Sequence, residues 1–398
     1  MNEKTLDPSE LIFQRSNFNK AATIDYKYPL DKFNGRGIVI CAGGAKYFTC
    51  AWVCINMLRK LGCNLPIELW HLGPRELTDE MKALVEPLNV VCVDGRACAE
   101  TVPARRLNGW ELKPYAIINS TFKEVLLLDS DNVPVVNPEY LFETDRYKTT
   151  GAIFWPDFNR LANFRLIWDI CEITYQDEPE FETGQIVVNK EKCWNELQLT
   201  MYMNEYSDFF YHYIHGDKET FHMAWRKLNS EYAMPTRPID QLKYTMCQHD
   251  FNGTRVFQHR NMAKWKLNDN PDITGFLYQT ECNNYISELR AAWKILLIAK
   301  LPIETIKLYN QLVEQRFFQY TREGYDIRLI ELLDNFEIGD GNARMEQSWM
   351  ITLIGNKPFV EIKGALGTTC VLQHVSELTF KGSWLNFEKM PITLSAII

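Results

Sequence analysis

The most chemically loaded segment of the chain is Leu126-Leu127-Leu128-Asp129-Ser130-Asp131-Asn132-Val133-Pro134, an apolar run that ends in two carboxylates one residue apart. In extended backbone, residues i and i+2 point the same way and lie roughly 7 Å apart. One divalent cation with its phosphate ligands fits between such a pair, and without a cation the like charges repel. A strand ending this way also delivers both acids to the carboxyl edge of its sheet, where ligands of open α/β sheets bind. The plainer alternative is a turn capped by Asp129 and Asp131.

Two chemistries fit the motif. In phosphohydrolases of the haloacid dehalogenase type, four apolar residues precede Asp-x-Asp-x-Thr/Val and the first acid is a covalent nucleophile; Asp129 and Val133 fit that pattern. In nucleotide-sugar transferases of the GT-A fold, the same two acids hold Mn²⁺ or Mg²⁺ against a sugar-nucleotide diphosphate. A dehalogenase core opens with this strand. Here three strand-like runs precede it: Ile38-Val39-Ile40-Cys41, Ile67-Glu68-Leu69-Trp70 and Val90-Val91-Cys92-Val93. Amphipathic stretches separate them, at Tyr47 to Leu61 and Glu76 to Leu84, with another from Glu111 to Ser120 ahead of the Asp-x-Asp strand. Gly151 to Phe154 and Gln185 to Asn189 continue the series, so an α/β layer fold with a largely parallel sheet is predicted. In that frame the turn Ala42-Gly43-Gly44 after the first strand exposes backbone where a base or ribose must approach.

Composition narrows the class further. A chain of 398 residues suggests two or three domains, and 46% hydrophobic residues exclude general disorder. With a net charge of −8, duplex nucleic acid is not an expected partner. The eleven cysteines include no CxxC pair, which argues for reduced thiols packed as small hydrophobes. The first residues lack the pattern of a signal peptide, and the apolar run around Ile295 to Ile298 is too short to span a bilayer, so no membrane span is expected.

Five ordered blocks carry a resemblance. They are Trp110-Glu111-Leu112-Lys113-Pro114-Tyr115 running into the Asp-x-Asp strand and Asn137-Pro138; Gly151 to Phe158; Glu182-Thr183-Gly184-Gln185-Ile186-Val187-Val188-Asn189-Lys190; Met203-Asn204-Glu205; and Gly216-Asp217-Lys218-Glu219-Thr220-Phe221. Over roughly residues 35 to 235 the chain resembles glycosyltransferase family 71, the fungal α-mannosyltransferases. The resemblance implies a GT-A fold, a nucleotide-sugar donor (GDP-mannose or a UDP-hexose), a divalent cation at the Asp-x-Asp and retention of anomeric configuration. It makes Asp131 the stronger metal ligand, with Asp129 reaching the metal or the ribose and Ser130 beside them. The related glycogenin-type transferases add a late His followed by Lys and Trp. His259, Lys264 and Trp265 resemble that element, without its Gly and Pro and one residue shorter. By this carry-over His259 is the third ligand and Lys264 neutralises the leaving diphosphate.

Other candidates follow from position. Lys113 is a donor-phosphate contact or a solvated helix lysine. Asp217 lies beneath the reacting sugar or caps a helix over 218–228, and Gln185 faces sugar hydroxyls from the head of a strand. Trp155 and Asp157 shape the acceptor side, or Trp155-Pro156 is a packed corner. An inverting reaction needs a carboxylate base, for which Asp157, Asp217 and Asp240 qualify. The expected product is a hexosyltransferase acting on a glycan, protein or small-molecule acceptor. A phosphohydrolase using Asp129 as nucleophile and a non-catalytic sugar-nucleotide-binding protein are the alternatives. Fungal members are membrane-anchored; the lack of an anchor pattern here and the cysteine content lead to a cytoplasmic expectation.

The domain reading is an irregular polar arm over 1–34, the GT-A domain over 35–270, a helical linker over 271–325 and a β-rich domain over 326–398. Two helical runs are predicted, Tyr285 to Lys300 and Ile303 to Tyr320, with strands near Trp349 to Ile354, Phe359 to Ile362, Thr369 to Gln373 and Glu377 to Phe380. Trp349, Trp384 and Phe387 either form a recognition or oligomerisation surface or pack in the core.

Overall fold

A computed structural model describes residues 8–267, 270–385 and 389–397. The chain divides into two compact units, Met1–Leu289 and Arg290–Ile398. Within the first segment Pro8–Ala21 forms helix α1, where Phe18 turns inward and packs, fully buried, on Tyr202 and Phe210. Polar composition hid this inward face, to which Ala21 and Leu11 also belong.

Strands β1 (Arg36–Cys41), β2 (Ile67–His71) and β3 (Val90–Asp94) are linked by helices α2 (Gly44–Lys60) and α3 (Asp79–Val85). Short helices α4 (Gly95–Thr101) and α5 (Leu112–Asn119) lead to β4 (Glu124–Asp129). The four apolar residues of β4, Val125 to Leu128, are fully buried, as are Ile38 to Ile40 of β1. Burial on both faces explains their continuous apolar runs, and each side chain contributes about 1.5–3 kcal/mol. After β5 (Asn132–Pro134) come α6 (Asp145–Thr150), β6 (Ala152–Pro156), α7 (Ile167–Cys171) and β7 (Phe181–Asn189). The sheet order is β3-β2-β1-β4-β7-β6, with β7 antiparallel to both β4 and β6. This is the Rossmann-like mixed sheet expected of a GT-A fold, parallel over β3-β2-β1-β4 and interrupted by the antiparallel β7. Helices α8 (Trp194–Glu205), α9 (Ser207–Phe210) and α10 (Asp217–Lys227) follow.

A second, antiparallel sheet does the positioning. Strands β8 (Asp240–Leu242), β9 (Thr245–His249) and β10 (Arg255–His259) join β5 in the order β5-β10-β9-β8. The chain therefore leaves the first sheet at Asp129 and enters the second at Asn132, with the Asp-x-Asp at the crossing.

Helix α11 (Gln279–Ile298) carries the boundary between the units, and α12 (Ile306–Gln315) ends well before Tyr320. Arg316 adopts φ +62, which stops the helix, and Phe317–Arg322 becomes strand β11 with Phe318 and Tyr320 turned inward. It pairs with β12 (Asp326–Glu331) in an antiparallel sheet completed by β13 (Ser348–Ile354), β14 (Lys357–Gly364), β15 (Gly367–Ser376), β16 (Thr379–Trp384) and β17 (Pro391–Ala396). Gly355 and Asn356, both with positive φ, make the tight β13–β14 hairpin. Trp349 and Trp384 are core residues, not a surface: both are buried, and the Trp349 Nε1–H donates to Leu333 O at 3.1 Å. Phe387 lies outside the described residues. All eleven cysteines are free thiols, most of them buried. Among the described residues no helix is long and apolar enough to cross a membrane.

Candidate active site

Register builds the site. Cys41 of β1 pairs with Asp129 of β4, which sets the Ala42–Gly44 turn beside the first acid. His259 pairs with Asn132, which sets its ring beside the second. His259 Nε2 lies 3.3 Å from Asp131 Oδ1 and 3.8 Å from Asp129 Oδ2. One donor atom from each of the three residues falls within 4.8 Å of the others. On the far side of the ring, Nδ1 is 3.3 Å from Glu182 Oε1. Gly184 makes room for it: a Cβ there would lie 2.5 Å from Nδ1.

Lys113 is not solvated. Its ammonium is nearly buried, 2.8 Å from Asp129 Oδ1 and 3.3 Å from Asp217 Oδ2. Burial opposes its charge, but Asp129 and Asp217 more than offset this and raise its pKa. Lys264 contacts Asp131 directly. Burial would raise the Asp131 carboxyl, yet His259 and Lys264 hold it well below the usual carboxylate range. Burial wins at Asp129, whose pKa is raised. Against the cost of burial, Asp131 and Glu182 lift His259 to about 10. Four carboxylates (Asp129, Asp131, Glu182 and Asp217) thus face two ammonium groups and the His259 ring, leaving a net negative charge around an O, O, N donor set.

The remaining candidates are spread around this cluster. Gln185 is the fifth residue of β7, not its head; its Oε1 accepts from Asn132 Nδ2 at 2.7 Å, and its buried Nε2 has no partner among the described residues. Asp217 is the first residue of α10, while Gly216, at φ +148, is the N-cap. Asp217 therefore does not cap the helix, and its Oδ2 accepts from Thr183 Oγ1 at 2.9 Å. Asp157 contacts Lys218, which also donates to Glu180 Oε2 at 2.6 Å. Ser130 is buried between the two acids. At Gly43 the Glu76 side chain fills the space a Cβ would need, whereas at Gly44 a Cβ would meet nothing within 4 Å. Trp155 is the packed corner, fully buried with Nε1 donating to His249 O. Asp240 pairs with Arg237 and His249 and takes no part in the three-residue cluster.

Residues 35–180 and 172–264, a span that takes in Asp129, Asp131, His259 and Lys264, match the model of the mannosyltransferase family Mannosyl_trans3. The chain belongs to this family. Similar proteins include alpha-1,2-mannosyltransferase MNN24 of Candida albicans, 29% identical over 57% of this chain and 38% of that protein. Alpha-1,2-mannosyltransferase MNN5 of Saccharomyces cerevisiae is 26% identical over 57% and 49%. The chain thus spans less than half the length of these relatives. Solved structures that superpose on half of it include the galactosyltransferase LgtC with donor and acceptor sugar analogues (13% identity, 50% of this chain and 73% of that one, TM-score 0.37). Another is core-mannan synthase A of Aspergillus fumigatus in a Mn/GDP form (8% identity, 52% and 72%, TM-score 0.36).

For this member of the Mannosyl_trans3 family, four contributors escaped sequence reasoning. Glu182 backs His259, Asn132 holds Gln185, Thr183 holds Asp217, and Lys218 holds Asp157. Glu182, Thr183 and Lys218 lie inside resemblance blocks and Asn132 follows the Asp-x-Asp, so a signal existed; their partners did not show. The donor set and its residual negative charge fit a divalent cation.

Proposed function

We propose that the protein is a metal-dependent, retaining hexosyltransferase that moves a sugar, mannose above all, from a nucleotide-sugar donor to an acceptor hydroxyl. The convergence of Asp129, Asp131 and His259 at the carboxyl edge of β4 carries this reading. Those three residues would hold Mn²⁺ or Mg²⁺. A bound divalent cation supplies positive charge to the departing diphosphate. The relatives' names as alpha-1,2-mannosyltransferases favour GDP-mannose over a UDP-hexose.

The chain's own groups do the rest. Lys264 brings an ammonium to the leaving phosphate, and the Ala42–Gly44 turn borders the nucleoside. Lys113 locks Asp129 and Asp217 in place, and Asp217 and Gln185 hold the donor sugar. Asp157 borders the acceptor. Asp157, Asp217 and Asp240 are each paired with a cation, which favours front-face attack by the acceptor hydroxyl over a free carboxylate base. Lys113 engages both oxygens of Asp129, which weighs against the phosphohydrolase reading, in which Asp129 is a nucleophile. The eleven free thiols support a cytoplasmic, reducing location.

The test is Asp131→Ala, assayed for Mn²⁺-dependent binding of GDP-mannose and for transfer. Loss of both is expected; unchanged donor affinity would sink the reading.

A further inference from the structure

Of the eleven tryptophans, Trp110 alone is exposed, at 53%; the others are buried or, at Trp194, half-buried. An indole left in water forgoes the free energy that its large apolar surface would gain in a core. Looseness of the chain does not account for it, because the turn that carries Trp110 is fastened on both sides. Upstream, the Arg105 guanidinium donates to both oxygens of Asp208, at 2.7 and 2.8 Å. Downstream, the buried Glu111 accepts from Ser207 Oγ at 2.5 Å, and the Trp110 carbonyl accepts from Lys113 N at 3.1 Å. The ring meets that of Tyr211 in an edge arrangement, 6.0 Å between centroids.

Its position borders the candidate active site. A Cβ on Gly216 would lie 3.0 Å from Trp110 Cε3, so the indole rests against Gly216, the residue ahead of Asp217 and Lys218. Successive Cα atoms are about 3.8 Å apart, which puts the ring within roughly one sugar's width of the Asp217 backbone. Asp217 reaches Lys113 and, through it, Asp129. Lys218 in turn holds Asp157 and Glu180. Asp157 follows β6, at the edge of the sheet away from β1 and from the Ala42–Gly44 turn that borders the nucleoside. A pyranose carries both chemistries this place can meet: a C–H face that packs on a fixed aromatic ring, and hydroxyls that donate to carboxylates.

We propose that Trp110 is the platform on which the acceptor sugar, a pyranoside, stacks, with Asp157 and Glu180 accepting from its hydroxyls. A nucleotide base also stacks on indole, but the two acids beside Gly216 disfavour its phosphates. The proposal rests on the transferase reading, to which it adds the class of the acceptor and a residue that sets its affinity.

Iodide quenching of tryptophan fluorescence in the full chain tests it without a turnover assay. With Mn²⁺ and GDP present, the methyl pyranosides of mannose, glucose, galactose and N-acetylglucosamine are titrated in turn. At least one is expected to halve the quenching saturably, and Trp110→Ala to remove most of the quenching that the sugar suppresses. Protection by none of them overturns the proposal. With the protecting sugar as acceptor and GDP-mannose as donor, Trp110→Ala is expected to raise the acceptor KM at least tenfold and to move the donor KM by less than twofold. Trp110→Phe keeps an aromatic face and should recover most of the loss. The side chain is exposed, so both variants keep the fold. No rise in the acceptor KM, or an equal rise in both constants, overturns the proposal. Protection in a chain that transfers nothing would defeat the transferase reading and leave the sugar platform standing, whereas transfer without protection would do the reverse.

Discussion

Gly184 of one sheet and His259 of the other share a space with room for one of them: a Cβ on Gly184 would lie 2.5 Å from His259 Nδ1. The imidazole is thereby pressed between β7 and the two acids, with Glu182 behind it. Gly184→Ala must displace the ring. Mn²⁺ affinity is expected to fall at least tenfold in a direct titration, with a stability loss of about 1–3 kcal/mol from overpacking. Wild-type Mn²⁺ affinity in that variant would remove His259 from the ligand set.

Lys113 is the one ammonium within ion-pair reach of both Asp129 and Asp217 among the described residues. Lys113→Met leaves the buried Asp217 without a cation and Asp129 with His259 alone, and a loss of about 3–5 kcal/mol is expected in urea unfolding. Adding Asp217→Asn should recover part of that loss, because the two substitutions act on one network. Strict additivity would show that the contact carries no coupling.

Glu219 gives a pH dependence with a definite sign. Its side chain is fully buried, and burial raises its carboxyl from 4.5 to about 7. Between those values the folded chain holds a proton that the unfolded chain has released. Its contribution to stability is therefore complete below about 4.5 and is lost as pH rises through 7, a change of at most about 3 kcal/mol. Comparing unfolding at pH 5 and pH 7.5 in the native chain and in Glu219→Gln isolates the effect. The variant should lose that part of the slope, and identical slopes would contradict the assignment.

Much of this was open to reading in the residues themselves. Short apolar runs buried on both faces announce β1, β2 and β4 with no knowledge of their neighbours, and the Asp-x-Asp at the end of β4 states its chemistry locally. Where a local pattern was weak, the reading failed. Phe18 and Ala21, buried in the core, order α1, and Arg316, at positive φ, turns an amphipathic run from helix into strand. Trp349 reads as a core residue sooner than a surface one, and the sheet that closes over it puts it in the core.

What the sequence by itself determined is the periodicity of the strands, the two acids and the family. Tertiary structure decided which partner each charge received. His259 meets Asp131, which precedes it by more than a hundred residues, because β10 pairs with β5; Lys113 meets Asp217 because the ends of α5 and α10 meet at β4. Periodicity is a property of neighbours along the chain, whereas ion pairs and ligand sets depend on strand pairing between distant segments, whose register is set by burial across the whole sheet.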